Sequence, residues 1–371
     1  MITNYNFENN NFDDVVSVHI NKSIFQVSTL EVKLDNTEQN KVLLDFINKE
    51  ISEFDNFNLV KLFIDEQISF VGVTCEYKYN ETENTYAFKA QDFIYKLFRN
   101  IDCTPFLTFW KSSSHQAIKA LFYHAGFNKN SISIDSDLID YPISKIQMEY
   151  TSTYMDVLEK IFNTMYARFH VNKDGSIRIT KAYPPYNGTP TVTEDINSIN
   201  LISDGNYTRT ETDIKNKLVV KASDTDIQAF QCPYLVDHCN SEIFMDTVEE
   251  QLANTEQKKK NVALRYFRDK LRHSKKFSVA LVNGNLNREI GNIVRITMNQ
   301  SNVKGWAMIN SIKTSIENGE WKDALELELL VADTWLVPKP VVGNYIKEKP
   351  KETSNSKTPT KKRKVRRKRK R

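Results

Sequence analysis

Side chains able to do catalytic chemistry occur in this chain, but their spacing matches no known catalytic motif. The sequence lacks a serine nucleophile elbow, the paired histidines of a zinc protease, and the glycine-rich loops that bind phosphates or dinucleotides. His115 and His124 lie nine residues apart on one predicted helix, and about two and a half turns put them on opposite sides. Glu249, Glu250 and Glu256 are predicted to be solvated on the polar face of a longer helix. We therefore predict that the protein is not an enzyme and that it has no catalytic residue and no cofactor.

The four cysteines do not form a metal-binding pattern. They are Cys75, Cys103, Cys232 and Cys239, and none of them belongs to the C-x-x-C pair of a zinc ribbon or a redox site. Cys232, His238 and Cys239 could supply three metal ligands, but no fourth ligand follows at motif spacing. We expect no bound metal, and free thiols that are buried or half-buried in a reducing compartment.

The strongest charge signal is the last eleven residues, KKRKVRRKRKR, of which ten are basic. From residue 344 onwards, 14 Lys or Arg stand against two acids, a net charge of +12. Because the whole chain carries +4, residues 1–343 carry −8. An acidic body repels phosphate, so contact with nucleic acid is predicted for this run alone. The candidate contact residues are Lys361, Lys362, Arg363, Lys364, Arg366, Arg367, Lys368, Arg369, Lys370 and Arg371.

Several interpretations of this basic run stay open. It could neutralise DNA phosphates non-specifically, with a strong dependence on salt. It could also dock on an acidic neighbouring protein or on the acidic body of another copy. Its KKRKV segment resembles a nuclear import signal, and the run could simply increase solubility. We expect a polyanionic partner, which could be a protein, DNA or a lipopolysaccharide-like surface.

Composition and the N-terminal segment indicate a globular protein made in the cytoplasm. The chain is 40% hydrophobic and 26% charged, which are ordinary globular values. The first residues are polar and acidic, without the apolar stretch of a signal peptide. No run of about 18 apolar residues occurs, so we expect no membrane span.

The elements that must position these residues begin with a β-barrel-like domain, predicted for residues 1–95. Its apolar residues alternate along short segments separated by polar turns, a pattern typical of an antiparallel sheet or barrel. The predicted strands cover residues 15–20, 59–65, 68–79 and 84–93. One short helix is predicted around Leu43, Leu44, Phe46 and Ile47.

Residues 96–200 are predicted to form an α/β domain. Ser113 and Gln116 have the spacing of a capping box at the start of a helix, and Gly126 supplies the left-handed conformation that ends it. A second helix begins near Thr153 and continues into a β-hairpin whose turn reads NKDG.

Residues 201–337 are predicted to form a second β-barrel-like domain with a long helical insertion. Residues 207–222 have the pattern of a strand or a strand pair, and residues 241–273 that of the helix, whose NTEQKKKN segment is too polar to be buried. The four closing strands are predicted at residues 277–282, 292–298, 306–316 and 324–331. Residues 338–371 have the composition of a disordered basic tail, so order is expected to end near Val337.

Four phrases, spread over residues 60–331, carry a family resemblance. In the first, the segment FVG at 70–72 opens a strand, and the next strand ends at Asp92 before a short helix. The second is the helix and hairpin YMDVLEKIFNTMYARFHVNKDGSIRIT. The third places Asn216 before a valine-rich strand, and the fourth is the turn GNIV at 291–294, with Asn where the family commonly has Asp. In order and spacing, these phrases resemble the baseplate-hub and tail-associated proteins of bacteriophages and phage-tail-like particles, the late-control-gene-D-like group.

The resemblance implies an α+β, mainly β fold, in which two β-barrel-like domains form a hub ring, with an α/β domain inserted between them and a disordered basic C-terminal tail. It implies a non-enzymatic structural hub at the distal end of a phage tail, a homotrimer that joins the sixfold tail tube to the tail tip or spike. The implied partners are a tail tube or distal tail protein and a tip or spike protein, and the implied location is the tail tip or baseplate of the virion. Two other functions stay open: a non-specific nucleic-acid-binding protein acting through the basic tail, and a cell-wall hydrolase of the tail tip.

Overall fold

The chain is mainly β, with four α-helices in the part that the computed structural model describes. The described residues are 4–7, 10–12, 15–38, 40–41, 59–64, 66–99, 109–110, 112–143, 145–146, 152–183, 189–201, 205–210, 212–298, 302–330 and 336–341. The α-helices are α1 (Ser114–His124), α2 (Tyr154–Met165), α3 (Pro233–His238) and α4 (Glu256–Ser274). The strands are β1 (Asn4–Phe7), β2 (Asn10–Phe12), β3 (Val15–Ser23), β4 (Thr29–Asp35), β5 (Leu59–Ile64), β6 (Gln67–Asn80), β7 (Thr85–Gln91), β8 (Phe109–Trp110), β9 (Ile132–Ile134), β10 (Lys145–Ile146), β11 (Ala167–Val171), β12 (Ile177–Lys181), β13 (Glu194–Asn197), β14 (Asn206–Arg209), β15 (Lys217–Lys221), β16 (Ile227–Gln231), β17 (Met245–Glu249), β18 (Lys275–Leu281), β19 (Ile293–Met298), β20 (Val303–Glu317), β21 (Glu320–Leu329) and β22 (Lys339–Pro340).

One sheet of thirteen strands contains strands from both the N-terminal and the C-terminal parts of the chain. Its order is β14-β18-β21-β20-β3-β4-β7-β6-β5-β1-β2, with β19 paired to β20 and β13 to β19. The long strand β20 joins the two halves, because residues 303–308 pair with β19 and residues 311–317 pair with β3. Among the described strands this path is open, so neither of the expected barrel-like domains is closed into a barrel. The α+β, mainly β class is confirmed.

Four N-terminal strands form where the sequence predicts them, whereas β1, β2 and β4 were not predicted. Along β4, Leu30, Val32 and Leu34 are fully buried while the residues between them are exposed or half-buried. This alternation is what period-two patterning requires of a sheet with one face on a core. The four strands predicted in this part correspond to β3, β5, β6 and β7. The short helix predicted around Leu43 lies outside the described residues.

The predicted α/β region contains α1, α2 and a three-stranded sheet of order β11-β12-β9. Ser113 and Gln116 form the expected reciprocal capping box at the start of α1. Thr153 caps α2 in the same way, and the chain leaves α2 through Tyr166 in the left-handed conformation. One apolar core holds the two helices against this sheet. The division of the chain into domains at residues 95, 200 and 337 stays a prediction.

The helix predicted over residues 241–273 is wrong in its first part. Residues 245–249 form strand β17, which pairs in parallel with β15, and α4 begins only at Glu256. Residues 245–249 read MDTVE, whose alternate side chains are exposed and half-buried, as an edge strand requires. Residues 207–222 contain two strands, as predicted for a strand pair, but the two do not pair with each other. β14 lies in the large sheet and β15 in another.

The smaller sheet has the order β17-β15-β16-β22 and packs against α4. Its last strand, β22, places Pro340 opposite Phe230, and the Val341 amide donates to the Ala229 carbonyl at 2.9 Å. Leu336 is 1% exposed within the same core. Residues 336–341 complete this sheet, so regular structure extends a few residues past Val337, near which order was expected to end. No helix within the described ranges has the length and apolar character needed to cross a membrane.

Candidate functional site

The ten basic residues predicted to contact a polyanion, within residues 361–371, lie outside the described residues. Their role as a contact for DNA or an acidic protein stays a prediction. The candidate functional features that the structure does describe are clusters of buried polar side chains. They lie where one sheet or helix packs against another.

The second half of the NTEQKKKN segment is largely buried, which contradicts the prediction that the segment is too polar to be buried, whereas residues 254–257 are exposed as predicted. Lys258 and Lys259 are 4% and 5% exposed. The Lys258 ammonium donates to the Pro142 carbonyl and to the side chain of Asn254, both at 3.0 Å. Lys259 pairs with Asp226 in the turn between β15 and β16. A lysine can be buried when its methylenes pack and its ammonium finds acceptors, and both lysines meet this condition.

Side chains of α4 also satisfy main-chain carbonyls at the end of α2 and at the start of β11. The Asn261 amide donates to the Thr164 carbonyl at 2.7 Å, and the Arg265 guanidinium donates to the Ala167 carbonyl at 2.8 Å. The last four carbonyls of a helix have no partner within that helix, so they need one from outside. We call Lys258, Asn261 and Arg265 the α4 clamp, because these residues connect α4 to the α/β region through directional bonds.

A second buried network surrounds Arg288 in the loop between β18 and β19. Its guanidinium makes two 2.7 Å hydrogen bonds to Glu194 and one of 2.5 Å to Asp323. Asp323 is 1% exposed and also accepts from the Thr314 hydroxyl at 2.7 Å and the Asn285 amide at 3.0 Å. Each charge is paired and hydrogen-bonded, which is what burial of an ion pair requires. The network therefore links β13, β20 and β21 to one loop.

Glu250 is buried, although the sequence pattern predicts a solvated residue. It follows β17, is 5% exposed, and accepts a hydrogen bond from the side chain of Asn163 on α2. Burial raises its pKa to about 6. It lines an open, polar cleft of about 950 Å³ between the smaller sheet and the α/β region, together with Lys160, Lys221 and Glu249. Glu249 and Glu256 are exposed, as predicted.

Ser114, His115 and Asp140 are the residue types of a catalytic triad, but their hydrogen bonds are not those of a triad. The Asp140 carboxylate accepts from the Ser114 hydroxyl at 2.9 Å and from the His115 main-chain amide at 3.0 Å. The Nδ1 atom of His115 is 3.9 Å from Asp140. In a catalytic triad the hydroxyl donates to the imidazole, whereas here it donates to the carboxylate. These contacts therefore hold the N-terminal turn of α1.

The cysteines that the structure describes are free thiols. Cys232 is buried and Cys239 half-buried, as expected, but Cys75 is exposed, which corrects the prediction for that residue. Cys103 lies outside the described residues. No group of three His, Cys, Asp or Glu residues in the described part of the chain is placed to hold a metal ion.

Two residues of the phrases that carried the family resemblance make buried hydrogen bonds that hold neighbouring segments in place. Asp92 accepts from the Ser28 and Ile94 amides at 2.9 and 3.0 Å and so caps the short 3-10 helix Phe93–Phe98. Asn216 is fully buried and bonds both ways to the segment before β17: it donates to the Glu242 carbonyl at 2.7 Å and accepts from the Phe244 amide at 2.9 Å.

Gly72, the glycine of the first phrase, lies where β6 passes very close to β7. A side-chain carbon at this position would come within 2.2 Å of the Gln91 carbonyl oxygen, so only glycine fits without moving a strand.

Comparison with known proteins finds similarity in structure and not in sequence. No protein-family model matches the sequence, and no curated protein sequence matches it. A tail protein from Neisseria meningitidis MC58 superposes with a TM-score of 0.66 at 12% identity, covering 88% of this chain and 95% of that protein. The 43 kDa tail protein of prophage MuSo2 from Shewanella oneidensis gives the same TM-score and identity over 91% and 100%. The fold is that of phage tail proteins.

A third similar structure extends this fold beyond phages. It is an Escherichia coli component of the type VI secretion system, itself described as structurally similar to the T4 bacteriophage tail proteins gp27 and gp5. Its TM-score is 0.56 at 8% identity, covering 89% of this chain and 78% of that protein. At such identities the likeness establishes the fold, and the fold resemblance implied by the four sequence phrases is confirmed.

Proposed function

We propose that this protein is a non-enzymatic structural component of a phage or phage-like tail, and that it serves as the hub at the distal end. The observation that carries the proposal is the extent of the likeness to two tail proteins, which covers 88% and 91% of this chain and nearly all of theirs.

The buried polar networks support a mechanical role. A hub transmits force between the tail tube and the tip, so its parts must keep a fixed orientation. Apolar contacts are non-directional, whereas paired hydrogen bonds fix angles as well as distances. The α4 clamp and the Arg288 network meet this need, because each joins elements that are far apart in sequence.

The finer part of the proposal is a homotrimer that joins the sixfold tail tube to a threefold tip or spike, with a tube or distal tail protein and a tip or spike protein as partners. Closed cyclic symmetry uses each subunit interface repeatedly, which suits an adaptor between two rings. The proposed location is the tail tip or baseplate of the virion. Electron microscopy of particles assembled without this chain tests the location: tail tubes that lack a tip support it, and complete tips contradict it.

A second candidate activity is non-specific DNA binding by residues 361–371. Ten basic residues among eleven are the observation that favours it. A polycation of this kind binds phosphates by releasing counterions and reads no base sequence. This activity is compatible with a tail hub, since DNA leaves a phage through the tail. An acidic protein remains the alternative partner for the same segment.

A further inference from the structure

Like β2, β9, β11, β13 and β22, the strands β14 and β17 have a partner on one side only among the described strands. β14 ends the large sheet and pairs only with β18, and β17 ends the smaller sheet and pairs only with β15. All four side chains of β14 are exposed, as are alternate side chains of β17. Unpaired edge strands present free amides and carbonyls, which bind a further strand unless something protects them.

Exposed apolar side chains concentrate beside these two edges. Of the twelve large hydrophobic residues exposed in the described part of the chain, six flank β14 or β17. Ile243, Phe244 and Met245 are consecutive at the start of β17, and Met245 is 56% exposed. Ile199, which is 87% exposed, and Val282 lie beyond the start of β14, where the Val282 amide donates to the Asn200 carbonyl. Contiguous exposed apolar residues commonly mark a binding surface.

The far ends of the same two strands carry opposite charges. β14 ends at Arg209, and Lys276 on the adjacent β18 lies opposite Thr208. β17 ends at Glu249, whose side chain is 80% exposed and lies 3.8 Å from the ammonium of Lys221 on β15. Each edge is therefore apolar at its start and charged at its end: basic for β14, and for β17 an exposed acid that pairs with a lysine of its own sheet. Pairing either edge with itself would bring like charges together, whereas pairing one with the other brings opposite charges together.

We propose that β14 of one copy pairs in parallel with β17 of the next copy, and that this contact closes the proposed trimer. Parallel pairing sets the two apolar starts side by side and brings Arg209 and Lys276 towards Glu249. Because the two surfaces differ, the contact is head-to-tail, and it closes into the proposed trimer when each contact turns the next copy by one third of a full rotation. The inference rests on the proposed function, since it names the interface of that trimer.

Directed cross-linking between chains tests the pairing. Thr208→Cys is placed on one full-length chain and Thr247→Cys on another, each in a background with Cys75, Cys103 and Cys239 replaced by serine. The two chains are mixed, and a short bis-maleimide that tolerates a shift of one residue in register is added. The expected result is a covalent dimer from the mixture and none from either chain alone, because head-to-tail contact never brings two identical positions together.

A matched control uses Thr82→Cys, an exposed position in the turn between β6 and β7, mixed with the Thr247→Cys chain. Light scattering of the same samples reports their assembly state. If the protein is a trimer but cross-links no better through Thr208→Cys than through Thr82→Cys, the proposed pairing is contradicted. The proposal of a trimer then still stands. Dimers formed by one variant alone also overturn the pairing, because they show a symmetric contact. Monomers throughout, also in the presence of the tail tube protein, overturn both the pairing and the trimer.

Charge reversal gives an independent readout. Glu249→Lys is expected to weaken self-association by about fivefold, as loss of one exposed ion pair between subunits predicts. Lys276→Glu is expected to act in the same direction, and mixing the two variants is expected to restore part of the affinity. Equal weakening in the mixture contradicts the pairing.

Discussion

The side-chain amide of Asn261 donates a 2.7 Å hydrogen bond to the main-chain carbonyl of Thr164, a residue 97 positions earlier in the sequence. Thr164 lies in the last turn of α2, where a carbonyl has no partner within its own helix. A polar side chain of α4 thus supplies the hydrogen-bond donor that a carbonyl in the last turn of α2 lacks. The connection explains why α4 tolerates so many polar residues on a buried face.

Replacing Asn261 with leucine is expected to lower the free energy of unfolding by about 2 kcal/mol, because the Thr164 carbonyl stays buried without its donor. Urea unfolding followed by circular dichroism measures the change. Lys260→Ala, at the next and less buried position of α4, is the control and is expected to change stability by about 0.5 kcal/mol or less. Equal effects of the two substitutions contradict the role given to the α4 clamp.

Removing the Asp323 carboxylate is expected to destabilise the protein by about 3–5 kcal/mol, since Arg288 would stay buried with one of its two acidic partners missing. The matched control is Asp195→Ala, which breaks the exposed pair of Asp195 with Arg295 and is expected to cost about 1 kcal/mol or less. Thermal unfolding of both variants measures the difference. A loss for Asp323→Ala no larger than that of the control would show that the network carries little stability.

Glu250 predicts a specific dependence of stability on pH. Burial raises its pKa from 4.5 to about 6, so the folded protein favours the protonated acid. The stability that this preference supplies is complete below pH 4.5 and is lost as the pH rises through about 6. Glu250→Gln removes the preference, so the stability of wild type relative to this variant is expected to fall by about 1–2 kcal/mol between pH 5 and pH 8. Unfolding at the two pH values measures it, with Glu81→Gln, in the exposed turn between β6 and β7, as control. If the difference in stability between wild type and Glu250→Gln does not change with pH, the raised pKa of Glu250 is contradicted.

Deleting residues 361–371 is expected to abolish binding to double-stranded DNA if the basic run is the DNA contact. For the full-length chain, the logarithm of the binding constant is expected to fall with the logarithm of salt concentration with a slope of about −5, as release of counterions from about six phosphates requires. Fluorescence anisotropy with a labelled duplex at several salt concentrations gives the slope. Undiminished binding by the shortened chain places the DNA contact elsewhere, and no binding by either chain favours an acidic protein partner.

Local signals in the sequence were sufficient to predict much of this fold. Ser113 and Thr153 each precede a helix that their side chains cap, and period-two patterning predicted strands at β3, β5, β6 and β7. Capping and alternation depend on residues within one turn or one strand, so they can be read without knowledge of the partners.

The features that the sequence did not predict depend on residues far away in the chain. Residues 245–249 become a strand because β15 pairs with them, and Lys258 and Lys259 can be buried because Pro142, Asn254 and Asp226 supply acceptors. The pairing of β3 with β20, which puts both halves of the chain into one sheet, joins residues nearly 300 positions apart. A pattern of hydrophobicity describes which face is buried and does not identify the element that covers it.

The buried polar sites were equally hard to predict. A single sequence shows Glu250 as one acid in a polar stretch, and only the fold places it against Asn163 on α2. Asp323 likewise lies in a strand with three other acids, and its partner Arg288 lies 35 positions earlier. Asn216 and Gly72 are different, because the family resemblance had already singled out both positions before their contacts were known.

The solution mass of the full-length chain, measured by light scattering over a wide range of concentration, tests the central claim most directly. The account predicts a trimer, or a mass that grows towards that of a trimer as concentration rises and goes no further. A chain that stays monomeric at every concentration, and also in the presence of its tail tube protein, would contradict the trimeric hub.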